Sequence, residues 1–419
     1  NFIEKPQLIF GRDKDSEDVG AVFFDADGDG DDDLLVASGG NQFLPGSIEL
    51  QTRLYLNDGQ GNLMRAFAGW PPISINASCV EVSDYDSDGD TDIFIGARSI
   101  PGAYGITPQS VLLQNNGKGS FSDVTKTIGA SLASLGMVTD AKWCDIDGDK
   151  VKELVVVGDW MPVTVLRYQQ GVFKKDGEIK NSSGWWNCLT TADIDSDGDI
   201  DLIAGNTGLN AKNKANQTQP ATLYAGDFDN NGQMECVQVY YKTDGKPYPF
   251  NLRGDLVTQL PLLKKKFLRY DSYAGKGVED VLDKNQMEKA TKLTVNETQS
   301  CIFRNNGKGF FTKEPLPYMA QMAPVFSILV SDLSKDGIAD IFLGGNFYGL
   351  KPEVGRHDAS YGVCFLGSPA HGLQYIPPAQ SGLFVKGEVR DIKAINRKKG
   401  KAVIVARNHE SLQLFQMTD

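Results

Sequence analysis

The sequence predicts an all-β protein, a seven-bladed β-propeller. Three observations predict it: a nine-residue acidic motif recurs six times, short apolar runs flank every copy, and an Asn/Gly-rich pattern follows in several units.

The acidic copies are "DADGDGDDD" (25–33), "DYDSDGDTD" (84–92), "DIDGDKVKE" (145–153), "DIDSDGDID" (193–201), "DFDNNGQME" (227–235) and "DLSKDGIAD" (332–340). They share D-x-[DS]-x-[DN]-[GK]-x-x-[DE]. The runs that leave them, such as "DLLVASGG", "DIFIGARS" and "ELVVVGDW", have the length and β-branched content of strands. Further on, "LYLNDGQGNL" (54–63), "LLQNNGKGSF" (112–121) and "IFRNNGKGFF" (302–311) read as two strands joined by a hairpin turn that needs φ > 0. One unit is therefore strand, acidic loop, strand, connection, strand, turn, strand. Four antiparallel strands repeated at a spacing near 60 residues (25, 84, 145) describe propeller blades.

A further unit, "GEVRDIKAINRKKGKAVIVARN" (387–408), keeps the strands but carries basic residues where the acidic loop would be. The spacing elsewhere is uneven, with 34 residues from 193 to 227 and 105 from 227 to 332. The long interval predicts a mostly helical insertion around 245–295. Seven blades, one of them truncated, follow from this count; six is the alternative. Residues 1–419 are expected to form one domain. The C-terminal "SLQLFQMTD" resembles a third strand and "FIEKPQLIF" a fourth, so an N-terminal strand would close the ring and leave no open edge.

Composition bounds the function. With 41% hydrophobic and 23% charged residues the chain is a folded one. A formal charge of −12 with no basic stripe argues against nucleic acid or an anionic membrane held by charge. No apolar run approaches the ~20 residues of a membrane-spanning helix. The start "NFIEKPQ" reads as a processed form or a fragment whose export signal lies upstream. The six cysteines form no CxxC pair and sit in strand-like runs, as small buried hydrophobes. Pairing stays open if the compartment is oxidising.

Carboxylates this crowded are tolerated when a cation neutralises them. Ca²⁺ takes ~6–8 oxygen ligands, and acids at loop positions 1, 3, 5 and 9 can converge on one ion. The expected ligands are Asp25, Asp27, Asp29 and Asp33; Asp84, Asp86, Asp88 and Asp92; Asp145, Asp147, Asp149 and Glu153; Asp193, Asp195, Asp197 and Asp201; Asp227, Asp229, Asn231 and Glu235; and Asp332, Ser334, Asp336 and Asp340. Five to six structural ions are expected. Glycine at position 6 permits the sharp turn, with Lys150 as the exception. In the first loop Asp31 and Asp32 are left over, their side chains expected to face water. An EF-hand would need flanking helices, which these strand-like flanks are not. Glycosidase-type paired acids would not be copied six times.

The acidic loop between the first two strands, with "NNGKGSF"-type hairpins downstream, resembles the FG-GAP/VCBS repeats that build the propeller of integrin α subunits. Phrases such as "GMVTDAKWCDIDGD", "VVVGDWMPV" and "YPFNLRGDLVTQLPLLKKKF" resemble large bacterial surface proteins that carry such propellers beside an ASPIC-type domain, akin to cartilage acidic protein. That resemblance implies a calcium-stabilised, exported interaction domain, often a lipoprotein encoded with outer-membrane nutrient uptake. The implied setting is the bacterial cell surface, in contact with other parts of an outer-membrane assembly.

Little points to catalysis. Three histidines and no nucleotide fingerprint leave no triad to assemble. The tripeptide Arg253-Gly254-Asp255 lies in the helical insertion, and "LKKKF" (263–267) reads as a solvated helix face. The connections after each second strand gather away from the acidic loops. They supply Arg98, Tyr104, Trp160, Asn206, Asn346, Tyr348, Arg356 and His357, and Trp185 and Trp186, which lead into a first strand, would open on the same side; all are candidates to contact a glycan or protein ligand. The leading expectation is a non-enzymatic binding propeller. A polysaccharide lyase using the Arg356/His357 cluster and a purely structural docking domain are the alternatives.

Overall fold

A computed structural model describes residues 5–368, 372–397 and 400–417. Its regular structure is dominated by antiparallel strands, and its residues group into two compact units.

The first unit comprises residues up to 143, 164–178 and 222–294. It opens with two four-stranded meanders in chain order: Glu17–Phe24, Asp33–Gly39, Arg53–Asn57 and Leu63–Arg65, then Ala77–Ser83, Asp92–Ala97, Val111–Asn115 and Phe121–Asp123. Every residue of both second strands is buried. A strand covered on both faces has no reason to alternate, which is why "DLLVASG" and "DIFIGA" read as continuous apolar runs. Phe24, Leu35 and Leu54 of one sheet pack against Val80, Ile93, Ile95, Leu113 and Phe121 of the other. The first strand, half covered, keeps a mixed exposure pattern.

The same unit holds the hairpin Thr164–Gln169/Val172–Glu178 and, apart from the end residues Ala221 and Val295, the sheet of Ala221–Gly226, Glu235–Tyr241, Pro247–Pro249 and Thr291–Val295. Between the last two strands lie four short α-helices (Arg253–Gln259, Leu263–Lys266, Tyr270–Tyr273, Lys284–Lys289) and a 3-10 turn at Val278–Asp280. Leu256, Leu260, Leu263 and Phe267 bury against Val237 and Val239. The helices thus run from 253 to 289, inside the expected 245–295, whose ends are strands. The RGD tripeptide forms the first turn of a helix. Its Arg253 guanidinium donates to the carbonyls of Phe267 (2.7 Å) and Leu268 (3.0 Å), so it is committed to holding the fold.

The second unit comprises 144–163, 179–221 and residues from 295 onward. One sheet is Cys188–Ala192, Asp201–Gly205, Cys301–Asn305 and Phe311–Pro315; the next is Val325–Ser331, Asp340–Gly345, Val363–Leu366 and Gln374–Ile376. Val389–Arg397, Gly400–Arg407 and Gln413–Gln416 form a three-stranded sheet, and Glu153–Met161 pairs with Gly184–Trp185. The unit starting at Asp193 is therefore not truncated, as its spacing suggested, but interrupted. Its second strand pairs with Cys301–Asn305 (Ile203 opposite Ile302), and a whole further sheet with its helices lies between them in the chain.

The expected N-terminal strand is not found among residues 5–12; Leu8–Arg12 is a 3-10 helix, and residues 1–4 lie outside the described set. A reason is visible in Asp13, which follows it. Its carboxylate accepts from Tyr55 Oη (2.6 Å) and Arg65 Nη1 (2.5 Å), and Ile9 packs on Leu34, Val36 and Tyr55. No disulfide joins the six cysteines, five of which are buried; burial pushes the Cys236 thiol up to about 11.

Candidate metal centres in the acidic loops

Five of the acidic loops span residues paired across the first two strands of their sheets: Phe24 with Asp33, Ser83 with Asp92, Ala192 with Asp201, Gly226 with Glu235 and Ser331 with Asp340. The sixth, at 145–153, leads into Glu153–Met161. Position 9 is thus the first residue of the second strand and is buried at every copy.

The side chains at positions 1 and 5 fold each loop on itself. The position 1 carboxylate accepts two backbone N–H bonds, from Gly28 and Gly30 to Asp25 (2.7 and 3.0 Å), from Asp88 and Gly89 to Asp84 (3.2 and 3.1 Å), and likewise at Asp145, Asp193, Asp227 and Asp332. Position 5 accepts from the N–H two residues on in all six, Asn231 included. The position 6 residue has positive φ, from +84° to +97° at the five glycines and +72° at Lys150. Nothing lies within 4 Å of a Cβ built at Gly30, so lysine fits there in space and bears only backbone strain.

This folding brings acids together. One oxygen from each of Asp25, Asp27 and Asp29 lies within 4.8 Å of the other two; so do Asp84, Asp86 and Asp92; Asp145, Asp147 and Glu153; Asp193, Asp195 and Asp197; and Asp227, Asp229 and Glu235. The Asp332 loop gathers no such trio among the described residues. Ser334 supplies no acid, and its backbone N–H donates instead to Asp340 Oδ2 (2.8 Å).

Donors do not account for all of these oxygens. Asp27 Oδ1, Asp86 Oδ1, Asp92 Oδ2 and Asp229 Oδ1 are buried with no hydrogen-bond partner. Asp92 is 1% exposed, and burial, with Asp86 and Asp88 beside it, pushes its carboxyl up to about 7. Burial likewise raises Asp33, Asp86, Asp201 and Glu235. Buried carboxylate oxygens facing other carboxylates without a donor fit a cation, because a cation supplies the missing counter-charge and ligand at once. Asp31 departs from expectation, since its Oδ1 is also buried, against the hairpin turn at Gly59; Asp32 is exposed.

The hairpins are part of the same construction, which their reading as simple turns missed. The backbone N–H of the hairpin asparagine donates to the position 9 acid at 2.8 Å in three sheets, Asn57 to Asp33, Asn115 to Asp92 and Asn305 to Asp201. The Asn115 amide bridges the carbonyls of Thr91 (3.1 Å) in its own loop and Ala26 (2.9 Å) in the preceding one. Asn305 does the same with Ile200 and Ile146. The residue before that asparagine reaches position 3: Gln114 donates to Asp86 Oδ2 (2.7 Å), and Arg304 to Asp195 Oδ2 (3.1 Å). Two further signals were present in the motif. Position 2 is apolar or aromatic in every copy and buried in five, and position 4 has positive φ in all six.

The proposed ligand contacts divide. Trp186 is fully buried, donating from Nε1 to the Ser182 carbonyl (2.8 Å) and packing edge-on against Phe303. Asn206 and Asn346 are buried, and their amides are spent on backbone, the latter on Ser360 (2.7 Å) and Gly387 (3.0 Å) carbonyls. Trp160 is 6% exposed, edge-on to half-buried Trp185. These four buried side chains hold strand ends rather than meet solvent. Arg98, Tyr104 and Arg356 are exposed, with Arg356 stacked over Tyr348 at 5.1 Å. His357 is half-buried, bridged to Phe347 by backbone, and desolvation lowers its pKa.

A family profile described as FG-GAP-like repeat matches residues 25–95 and 145–204. No protein of curated function matches the chain. Among solved structures, an Agrocybe aegerita lectin studied for recognition of non-reducing terminal N-acetylglucosamine aligns over 86% of this chain and 79% of its own, at 16% identity and TM-score 0.33. The V. cholerae biofilm matrix protein Bap1 aligns over 96% and 77%, at 9% identity and TM-score 0.36. No helix among the described residues is long and apolar enough to cross a membrane.

Proposed function

We propose that the protein is a calcium-stabilised, seven-bladed β-propeller of FG-GAP-like repeats, serving at a bacterial cell surface as a binding module for a glycan or protein ligand. The observation that carries this reading is the fivefold recurrence of converging acidic oxygens, several of them buried and without donors. The donor set is oxygen only, the chemistry of a hard cation and not of zinc or copper. Bound calcium would supply the counter-charge that lets these carboxylates stay ionised inside the fold. The chain's own residues do the rest: position 1 shapes the loop, position 9 ties it to the third strand, and the hairpin asparagine ties one loop to the next.

Recognition then falls to strand ends away from the acidic loops in each unit, Arg98 and Tyr104 in the first and Trp185, Tyr348 and Arg356 in the second, which offer aromatic faces and cationic donors. Such groups suit sugar rings and polar protein surfaces. Two measurements test the reading. Asp92→Asn is expected to retain one calcium ion fewer per chain by elemental analysis, and unchanged stoichiometry would reject the loop as a site. Binding on a glycan array or to isolated cell-surface proteins is expected to fall in Trp185→Ala and Arg356→Ala. A lyase reading rests on His357, whose lowered pKa leaves it neutral and able to accept a proton near pH 7. Release of unsaturated products from pectic polysaccharide, lost in His357→Ala, would favour that reading over binding alone.

A further inference from the structure

The helical insertion carries a surface that ligand recognition at the strand ends leaves unused. Leu263 and Phe267 bury against Val237 and Val239, which pins the chain at both ends of "LKKKF" (263–267). With those two positions turned in, their neighbours are turned out. Leu262 is 67% exposed, Leu268 75% and Tyr270 69%, and Lys264, Lys265, Lys266 and Arg269 are exposed beside them. The arrangement is held, not loose. Arg253 donates to the carbonyls of Phe267 and Leu268, and its guanidinium lies 5.3 Å from the centre of the Tyr270 ring, so Leu268 and Tyr270 are fixed around one cation.

The charge of this surface opposes that of the chain. Residues 261–270 hold four cations and no acid in a protein of net charge −12, and the first acid after them is the exposed Asp271. None of Lys264, Lys265, Lys266 and Arg269 pairs with a carboxylate among the described residues. Cations elsewhere in the same unit are matched, Arg65 to Asp13 and Lys142 to Glu81. Unmatched cations interleaved with exposed leucine and tyrosine are the composition of a surface that lies on an anionic lipid interface.

We infer that this face of the insertion docks the protein on a membrane leaflet bearing anionic phosphate headgroups. The contact goes beyond recognition of a glycan or protein ligand and does not depend on calcium in the acidic loops. Leu262, Leu268 and Tyr270 enter the boundary between headgroups and acyl chains, where apolar surface leaves water. The three lysines and Arg269 stay level with the phosphates, their long stems spanning the difference in depth. An acidic polysaccharide would use the cations and leave the leucines in water. The net charge of −12 argues against a membrane held by the chain as a whole, but charges more than about 8 Å apart are largely screened at physiological salt, so the local excess decides.

The test uses the full chain in calcium, sedimented with vesicles of phosphatidylcholine alone and with vesicles about a third phosphatidylglycerol. Wild type is expected to sediment with the anionic vesicles, to ignore the neutral ones and to be released at high salt. Lys264→Gln/Lys265→Gln/Lys266→Gln is expected to lower partition into anionic vesicles about a hundredfold, about fivefold for each lysine. Leu262→Ser/Leu268→Ser is expected to lower it at least about tenfold. Circular dichroism checks that each variant folds, and either one alone carries the comparison. Wild type that stays in the supernatant overturns the inference, including where it elutes as a dimer or binds an acidic polysaccharide instead. Binding that the lysine variant retains also overturns it, since calcium bridging between lipid and the acidic loops would give that result. Binding unchanged in the leucine variant overturns the seat at the acyl boundary.

Discussion

Replacing Asn115 by alanine should destabilise the protein far more than a hairpin residue ordinarily does. The side chain is 6% exposed and makes four hydrogen bonds: from Nδ2 to Ala26 and Thr91 carbonyls (2.9 and 3.1 Å), and to Oδ1 from the N–H groups of Asn116 and Gly117 (2.8 and 3.2 Å). The Ala26 carbonyl keeps a second donor in Gly119 (3.2 Å), and the backbone bond from residue 115 to Asp92 survives the change. Two short bonds at about 1 kcal/mol each and two longer ones at about half that give a loss of roughly 3 kcal/mol. Asn62→Ala is the control: Asn62 is exposed and donates to Asp58 (2.7 Å), a contact expected to contribute no more than about 0.5 kcal/mol. Urea unfolding at fixed calcium, with unchanged m-value, measures both. If Asn115→Ala falls within about 0.5 kcal/mol of the control, the hairpin asparagine is not the tie between neighbouring loops that the geometry implies.

Two glycines of nearly equal φ separate backbone strain from crowding. At Gly148 (φ +78°) a Cβ meets nothing within 4 Å, so Gly148→Ala is expected to cost about 1 kcal/mol; at Gly208 (φ +83°) it would lie 2.6 Å from the backbone carbonyl oxygen of Gln321, and Gly208→Ala is expected to cost at least about 2 kcal/mol in the same unfolding assay. Because His357 has a depressed pKa in the fold, it is neutral there, and the stability linked to it is complete above its ordinary value of 6.5 and lost as pH falls below that toward the folded pKa. Over that window the stability of His357→Gln is expected to decline less than that of wild type, and parallel pH profiles would show that the imidazole is not desolvated.

The sequence made the repeat legible where the repeat is local. Nine-residue acidic loops, apolar second strands and Asn-Gly hairpins all declare themselves within a dozen residues, and the structure places them in antiparallel sheets. The pairing of Asp201–Gly205 with Cys301–Asn305 leaves no such trace, since a strand's partner is not written in the strand. An interrupted unit therefore looked like a truncated one. Trp186, Asn206 and Asn346 misled for a different reason. Polar and aromatic residues at strand ends read alike whether they face a ligand or satisfy the backbone, and here they do the latter. The bridging of Asn115 and Asn305 and the engagement of Asp195 and Asp201 by Arg304 depend on which loop lies beside which turn. The spacing of one chain does not carry that.

The central claim is that cations in the acidic loops hold this fold together, and the melting temperature with and without calcium tests it most directly. At a free calcium a hundredfold above its dissociation constant, each filled site adds about 2.7 kcal/mol to the native state. Five such sites predict that EGTA lowers the midpoint by on the order of 10 °C or more, restored by added calcium and not by sodium. A midpoint that moves by less than about 2 °C between the two conditions would contradict the account.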